Sequence, residues 1–296
     1  MDREDRLRLM RRQLKPHRDT LFAFERVAHV DVGYRYEGGV PTNKLAVRLF
    51  VHGPKRSRQK AKAYVLAPRR FRGLPIDVVC GTFVKHCQAR RDPSRGGVVR
   101  PLVGGIAIST AQDETGTLGV VVRANDGRTI GLTADHVVHS SPEIFQPPCG
   151  SGTEQQVGHA MDVDALLSSV ALDLTGTATS VGVLRGLRQP LVRAATDSEM
   201  DALIAHRVPV WKSGERSGVT QGFVSGYDRG VVSVSDSSGT QVPEVACGGD
   251  SGSIWVTAQG IGVGLHYGGL ARGSSEAIVG WAQSLSAIAV RFGLAL

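Results

Sequence analysis

The chain has 296 residues, 37 of them glycine, with 41% apolar and 5% aromatic content, which suits about two globular domains rich in turns and short strands. No apolar run approaches the ~18 residues of a membrane span, and four cysteines are too few and too scattered for a disulfide framework or a zinc site. The net charge of +8 hides an asymmetry: residues 1–100 carry 24 Lys+Arg against 9 Asp+Glu, and residues 101–296 carry 11 against 18. The charged N-terminus, Met1-Asp2-Arg3-Glu4-Asp5-Arg6, has no secretory apolar core, so a cytoplasmic location with reduced thiols is expected.

Residues 1 to about 29 read as helix. Leu7, Leu9, Met10 and Leu14 recur near helical spacing, and Leu21, Phe22, Phe24 and Val27 continue after Pro16, which divides or kinks the segment. His29 to Tyr36 alternates with period two, and Leu45 to Val51 follows a Gly38-Gly39 turn, which predicts a hairpin. A basic stretch from Pro54 to Lys62 reads as loop and short helix, and Leu74 to Val79 as a further strand, so the first ~97 residues form a small α+β unit. Cys80 and Cys87 flank that region as packing residues. Arg90 to Gly97 is a polar, breaker-rich linker.

After the linker, short apolar runs recur between glycines, at 119–122, 130–132, 208–211, 222–224, 231–234, 254–256 and 261–265, the spacing of a barrel or sandwich. From Glu276 to Leu296, the apolar residues Ile278, Trp281, Leu285, Ile288 and Phe292 predict a closing amphipathic helix.

One stretch carries chemistry. In Cys247-Gly248-Gly249-Asp250-Ser251-Gly252-Ser253, a serine stands between glycines ahead of the apolar run Ile254-Trp255-Val256. Glycine permits positive φ and close backbone approach, so the amides of Gly249 and Ser251 can converge where an oxyanion forms. A serine hydroxyl needs a base and an orienting acid. His136, just past the apolar strand Gly131-Leu132-Thr133-Ala134, is the candidate base, with His139 a weaker one. Asp164, followed by Ala165-Leu166-Leu167, is the preferred acid, because a carboxylate entering an apolar strand needs a partner. Asp162 is the runner-up and Asp173 a third option.

The order His136, Asp164, Ser251 is that of the chymotrypsin class. Thr133-Ala134-Asp135-His136 and Gly249-Asp250-Ser251-Gly252 resemble the histidine and nucleophile signatures of trypsin-like serine proteases, and Val263 to Gly268 falls where that family pairs with substrate backbone. More narrowly, the chain is similar to the narrow-leaf type of plant and bacterial trypsin-like protease. That likeness rests on Val32-Gly33-Tyr34 with Leu45 to Val51, on Gly73 to Val79, on Arg100 to Gly105 and on Lys212 to Gly222.

The resemblance implies a mainly β, two-barrel chymotrypsin-like domain at 98–296 with a C-terminal helix, after a basic α+β domain at 1–97. It implies a serine endopeptidase acting on protein or peptide through His136, Asp164 and Ser251, without metal or cofactor. Val245 would lie at the pocket floor, giving an uncharged P1 preference, with His266 on the wall and Tyr267 and Gly268 beside the substrate. The basic domain would serve substrate recruitment, homo-oligomer contacts or nucleic-acid tethering, in that order.

The alternative is a catalytically silent fold used as a binding or nucleic-acid-responsive module. Two departures stand out: Asp135 places a second carboxylate beside the base, and Val137 replaces a disulfide cysteine. Arg100-Pro101-Leu102 resembles a zymogen activation site, whose new N-terminus would pair with Asp250, but Arg-Pro is a poor cleavage site.

Overall fold

The computed structural model describes residues 1–24, 27–37, 40–52, 70–84, 97–112, 115–138, 141–236, 247–271 and 277–296. The expected basic loop at 54–62, Cys87, nearly all of the expected linker, His139 and Val245 lie outside the described residues.

Helix α1 (Arg3–Leu14) is capped by Asp2, whose carboxylate accepts the Asp5 N–H at 2.8 Å, and it buries Leu7, Met10 and Leu14. Pro16 sits in a 3-10 turn that divides α1 from α2 (Arg18–Phe22), and Val27 belongs to the following strand instead of a helix. Strands β1 (Val27–Glu37), β2 (Val40–His52), β3 (Arg70–Phe71) and β4 (Leu74–Val84) complete this region.

Next come β5 (Leu102–Gly104), β6 (Ile106–Ser109), β7 (Thr115–Leu118), β8 (Val120–Arg123), β9 (Thr129–Ala134), β10 (Glu143–Phe145), β11 (Gln156–Asp164), β12 (Ser169–Asp173) and β13 (Thr179–Leu184). The chain then forms β14 (Arg193–Ala194), α3 (Asp197–Ala205), β15 (Pro209–Gly214), β16 (Gly218–Asp228), β17 (Val231–Ser235), β18 (Ile254–Thr257), β19 (Ile261–Ala271), β20 (Ala277–Ser284) and α4 (Leu285–Phe292).

Two closed or nearly closed barrels result. In the first, the order β7-β6-β10-β11-β12-β9-β8 wraps Ile106, Leu118, Leu132, Val170 and Leu172. In the second, β15-β18-β19-β20-β17-β16 closes through pairing of β16 back to β15. Burial of one face of every strand drives both closures, and closure removes the exposed edges.

The described strands of the expected α+β unit at 1–97 join the sheet of the second barrel. β1 pairs with β16 at Val32↔Tyr227 and Gly33↔Gly226, and β4 pairs with β19. The seam is polar inside. Arg48, fully buried, donates from Nε to Asp31 at 2.6 Å, and Ser233 Oγ donates to the same carboxylate at 2.7 Å. Gly226 makes room for this pair, because a Cβ there would lie 1.9 Å from Arg48 Nη2.

Two expectations change, and one helix is new. The closing helix begins at Leu285, because β20 pairs with both β17 and β19 and this ladder overrides the helix-like spacing of Trp281. Helix α3, closed by a Thr196/Glu199 capping box, was not foreseen. Ala165-Leu166-Leu167 does not continue a strand: Asp164 ends β11, and Leu166 in the turn that follows is 93% exposed. No helix among the described residues is long and apolar enough to cross a membrane.

Candidate active site

The serine loop has the backbone its glycines allow. Gly249 has φ of +103° and Gly252 of +99°, conformations that L side chains rarely adopt. The loop is tied to β19, with Gly252 N–H donating to His266 O and His266 N–H to Ser253 O, each at 2.8 Å. Ser251 is 1% exposed.

Asp250 anchors the loop from beneath. Lys212 Nζ, on β15, donates to its Oδ2 at 2.7 Å, and both side chains are fully buried. Ser217 Oγ and the N–H groups of Arg216, Ser217 and Cys247 add four more donors. Burial alone would raise the Asp250 carboxyl; the Lys212 ammonium and the Ser217 donors outweigh it and hold the group well below the usual carboxylate range. The partner that zymogen activation would supply to Asp250 is therefore an internal lysine.

Thr117, on β7 of the first barrel, joins the two barrels at this loop. Its N–H donates to Ser251 O at 2.9 Å and its Oγ1 to Gly249 O at 2.8 Å, while it accepts Glu215 N–H at 3.0 Å. Gly252 packs so closely on the end of β9 that a Cβ would lie 2.5 Å from Thr133 Oγ1 and 3.2 Å from Ala134 N. The nucleophile loop thus rests against the segment that carries His136.

His136 stands in a one-turn 3-10 segment, Asp135–Val137, at the end of β9. Asp135 Oδ1 accepts the His136 N–H at 2.7 Å and faces Nδ1 at 3.2 Å. Nε2 is buried without a hydrogen-bond partner. A general base has a carboxylate on one ring nitrogen and the nucleophile hydrogen-bonded to the other; of these two contacts the first is present here and the second is not.

The carboxylate on the imidazole is Asp135, not the expected Asp164. Asp164 Oδ1 accepts the N–H groups of Leu166 and Leu167, and its Oδ2 accepts Arg291 Nε at 2.8 Å. Those backbone donors, then Arg291, hold its carboxyl below the usual range. Asp162 is held by the other two nitrogens of Arg291, and Asp173 accepts Thr175 N–H. Because Asp164 ends its strand, it caps the next turn instead of reaching inward. Ser168 O, at the end of that turn, accepts the Asp135 N–H at 3.2 Å. On β12, Ser169 lies opposite Ala134 with its side chain buried.

Among the expected substrate contacts, His266 is fully buried with Trp255 edge-on at 6.3 Å, Tyr267 is half-buried and Gly268 pairs with Trp281. Sequence reasoning missed Thr117 and Lys212. Lys212 did leave a signal, since a lysine within Pro209-Val210-Trp211-Lys212 must find a counter-charge if that strand is buried. Thr117 left none.

No protein-family model matches the chain, and no curated protein matches its sequence. Solved structures do. A glutamic acid specific serine protease, described as using a novel histidine triad in substrate binding, superposes with a TM-score of 0.51 at 19% identity, covering 65% of this chain and 98% of its own. Thermobifida fusca protease A gives 0.48 at 19%, covering 65% and 96%, and Cellulomonas bogoriensis chymotrypsin gives 0.45 at 17%, covering 66% and 97%. At such identities the likeness of the first establishes a fold: the chain has the two-barrel chymotrypsin-like architecture.

Proposed function

We propose that the chain is a serine endopeptidase of protein or peptide substrates, acting in a reducing, cytoplasmic setting. The observation that carries this reading is the pairing of a positive-φ Gly249/Gly252 serine loop, packed on the end of β9, with a histidine whose Nδ1 faces a carboxylate.

In this mechanism Ser251 Oγ attacks the scissile carbonyl as His136 Nε2 takes its proton. Asp135 keeps the remaining proton on Nδ1 and stabilises the imidazolium, the role first expected of Asp164. The amides of Gly249 and Ser251 receive the oxyanion, each donor contributing about 3–4 kcal/mol in comparable sites. His136 then returns the proton to the leaving amine, and water repeats the sequence on the acyl-enzyme. The strand around Tyr267 and Gly268 is the assigned backbone contact for substrate, with an uncharged P1 side chain.

The second reading, a catalytically silent fold used for binding, is favoured by the burial of Ser251 and by the absence of a hydrogen bond on His136 Nε2. A fluorophosphonate probe separates them. Labelling of the wild type and not of Ser251→Ala is the result expected for the peptidase; a folded wild type that stays unlabelled would establish the silent module. Cleavage of a peptide library by the unlabelled wild type, with Ser251→Ala as the control, then gives the P1 preference.

A further inference from the structure

A cleft of about 1290 Å³ opens between the N-terminal helices and α4, with the β16–β17 turn also lining it. Seven cationic side chains line it against three carboxylates, Asp197, Asp201 and Asp228. Four of the cations are engaged within the chain: Arg8 and Arg11 with Asp201, Arg18 with Asp228, and Arg291 with Asp162 and Asp164. Arg12, Lys15 and Arg229 have no hydrogen-bond or ion-pair partner among the described residues.

Arg18 adds a buried donor. It is 4% exposed, yet its Nε has no hydrogen-bond partner. Burial, and then the like charge of Arg229, lower its guanidinium to about 10, so a second anion at this end of the cleft would relieve an unfavourable arrangement. Apolar surface lies alongside: Val290, 85% exposed on α4, and Leu167 line the same cleft.

We propose that this cleft docks an acidic peptide segment with interspersed apolar side chains, contributed by a protein partner. Arg12 and Lys15 stand three residues apart on the N-terminal wall, and Arg229 is separate, at the β16–β17 turn. Charges distributed this way suit carboxylates spaced along an extended chain. A compact polyphosphate would bring its whole charge close to Asp197, Asp201 and Asp228. The apolar rim offers nothing to a phosphate backbone, whereas Val290 and Leu167 can cover leucine or valine side chains. The site is separate from Ser251 and stands whether or not the serine is a nucleophile.

The test is fluorescence polarisation of a labelled twelve-residue peptide of alternating Glu and Leu, on the full chain carrying Ser251→Ala so that hydrolysis plays no part. Saturable binding is expected at low salt, weakening as ionic strength rises. Arg12→Gln with Arg229→Gly should weaken it by about tenfold or more, since each removes a charged donor. Arg229 has φ of +46°, a conformation glycine adopts more readily, so that substitution should leave the melting temperature unchanged or higher and separates lost binding from lost fold. No saturable binding, or equal binding by the double variant, would overturn the proposal. So would tighter binding of inorganic tripolyphosphate or oligothymidylate with the same dependence on Arg229, which would assign the cleft to phosphate.

Discussion

Replacing Lys212 by methionine keeps the length and bulk of the side chain and removes the ammonium that faces Asp250 at 2.7 Å. Asp250 stays fully buried, so its charge cannot be recovered by water. Breaking a buried ion pair in this way costs about 3–5 kcal/mol. The four donors left to Asp250, from Ser217, Arg216 and Cys247, place the expected loss near the lower end, at about 3 kcal/mol. For a chain of this size that corresponds to a fall in Tm of roughly 6–12 °C.

The pH dependence follows from the direction of the shift. A carboxyl whose folded pKa lies below its unfolded value contributes stability that is present above about pH 4 and is lost as the pH falls further. Without Lys212, burial pushes the folded pKa up instead, so the gap between wild type and variant should narrow as pH is lowered from 7 toward 3. Urea denaturation followed by tryptophan fluorescence reads the loss, and fluorophosphonate labelling of Ser251 reads whether the loop keeps its shape. A variant within about 1 kcal/mol of wild type at pH 7, labelled at the same rate, would refute the assignment of Lys212 as the internal counter-charge.

Asp135→Asn should lower kcat by about 10³–10⁴, the loss expected when the imidazole tautomer is no longer held, whereas Asp164→Asn, which loosens an exposed turn and its Arg291 pair, should cost less than about tenfold. Steady-state hydrolysis of a common peptide checks both, and the reverse ranking would return the role to Asp164. His29 is lowered to about 4, chiefly by burial, so the unfolded chain binds more protons between about pH 6.5 and pH 4, and stability should fall across that window on acidification. His29→Phe should flatten that slope in urea midpoints measured from pH 7 to pH 4. Gly226→Ala should prevent the N-terminal strands from seating, because its methyl would meet Arg48 Nη2 at 1.9 Å and Asp31 Oδ2 at 2.7 Å; soluble expression with native circular dichroism would contradict this.

Much of the molecule follows from local pattern alone. The period-two run of β1, the apolar run of β2, the division at Pro16, the short strands between glycines, and a serine loop needing positive φ at Gly249 and Gly252 are each set within a few residues, by local sterics and composition. The histidine was legible for the same reason, as a polar residue at the end of an apolar strand. The C-terminal helix was legible only from Leu285 onward, because pairing with two neighbouring strands decided the residues before it.

What tertiary structure alone decided is which charged groups meet. Asp164 and Asp135 are equally acidic on paper, and the choice between them turns on where β11 ends: there the chain turns, the Leu166 and Leu167 amides claim one carboxylate, and Asp135 is left against the imidazole. Likewise Lys212 finds Asp250 across 38 positions, and Arg48 and Asp31 lie beneath a seam made by Gly226 on a distant strand. Hydrogen bonds and ion pairs act over a few ångströms with strict direction, so their partners are set by how strands are brought together in space and not by the order of residues along the chain.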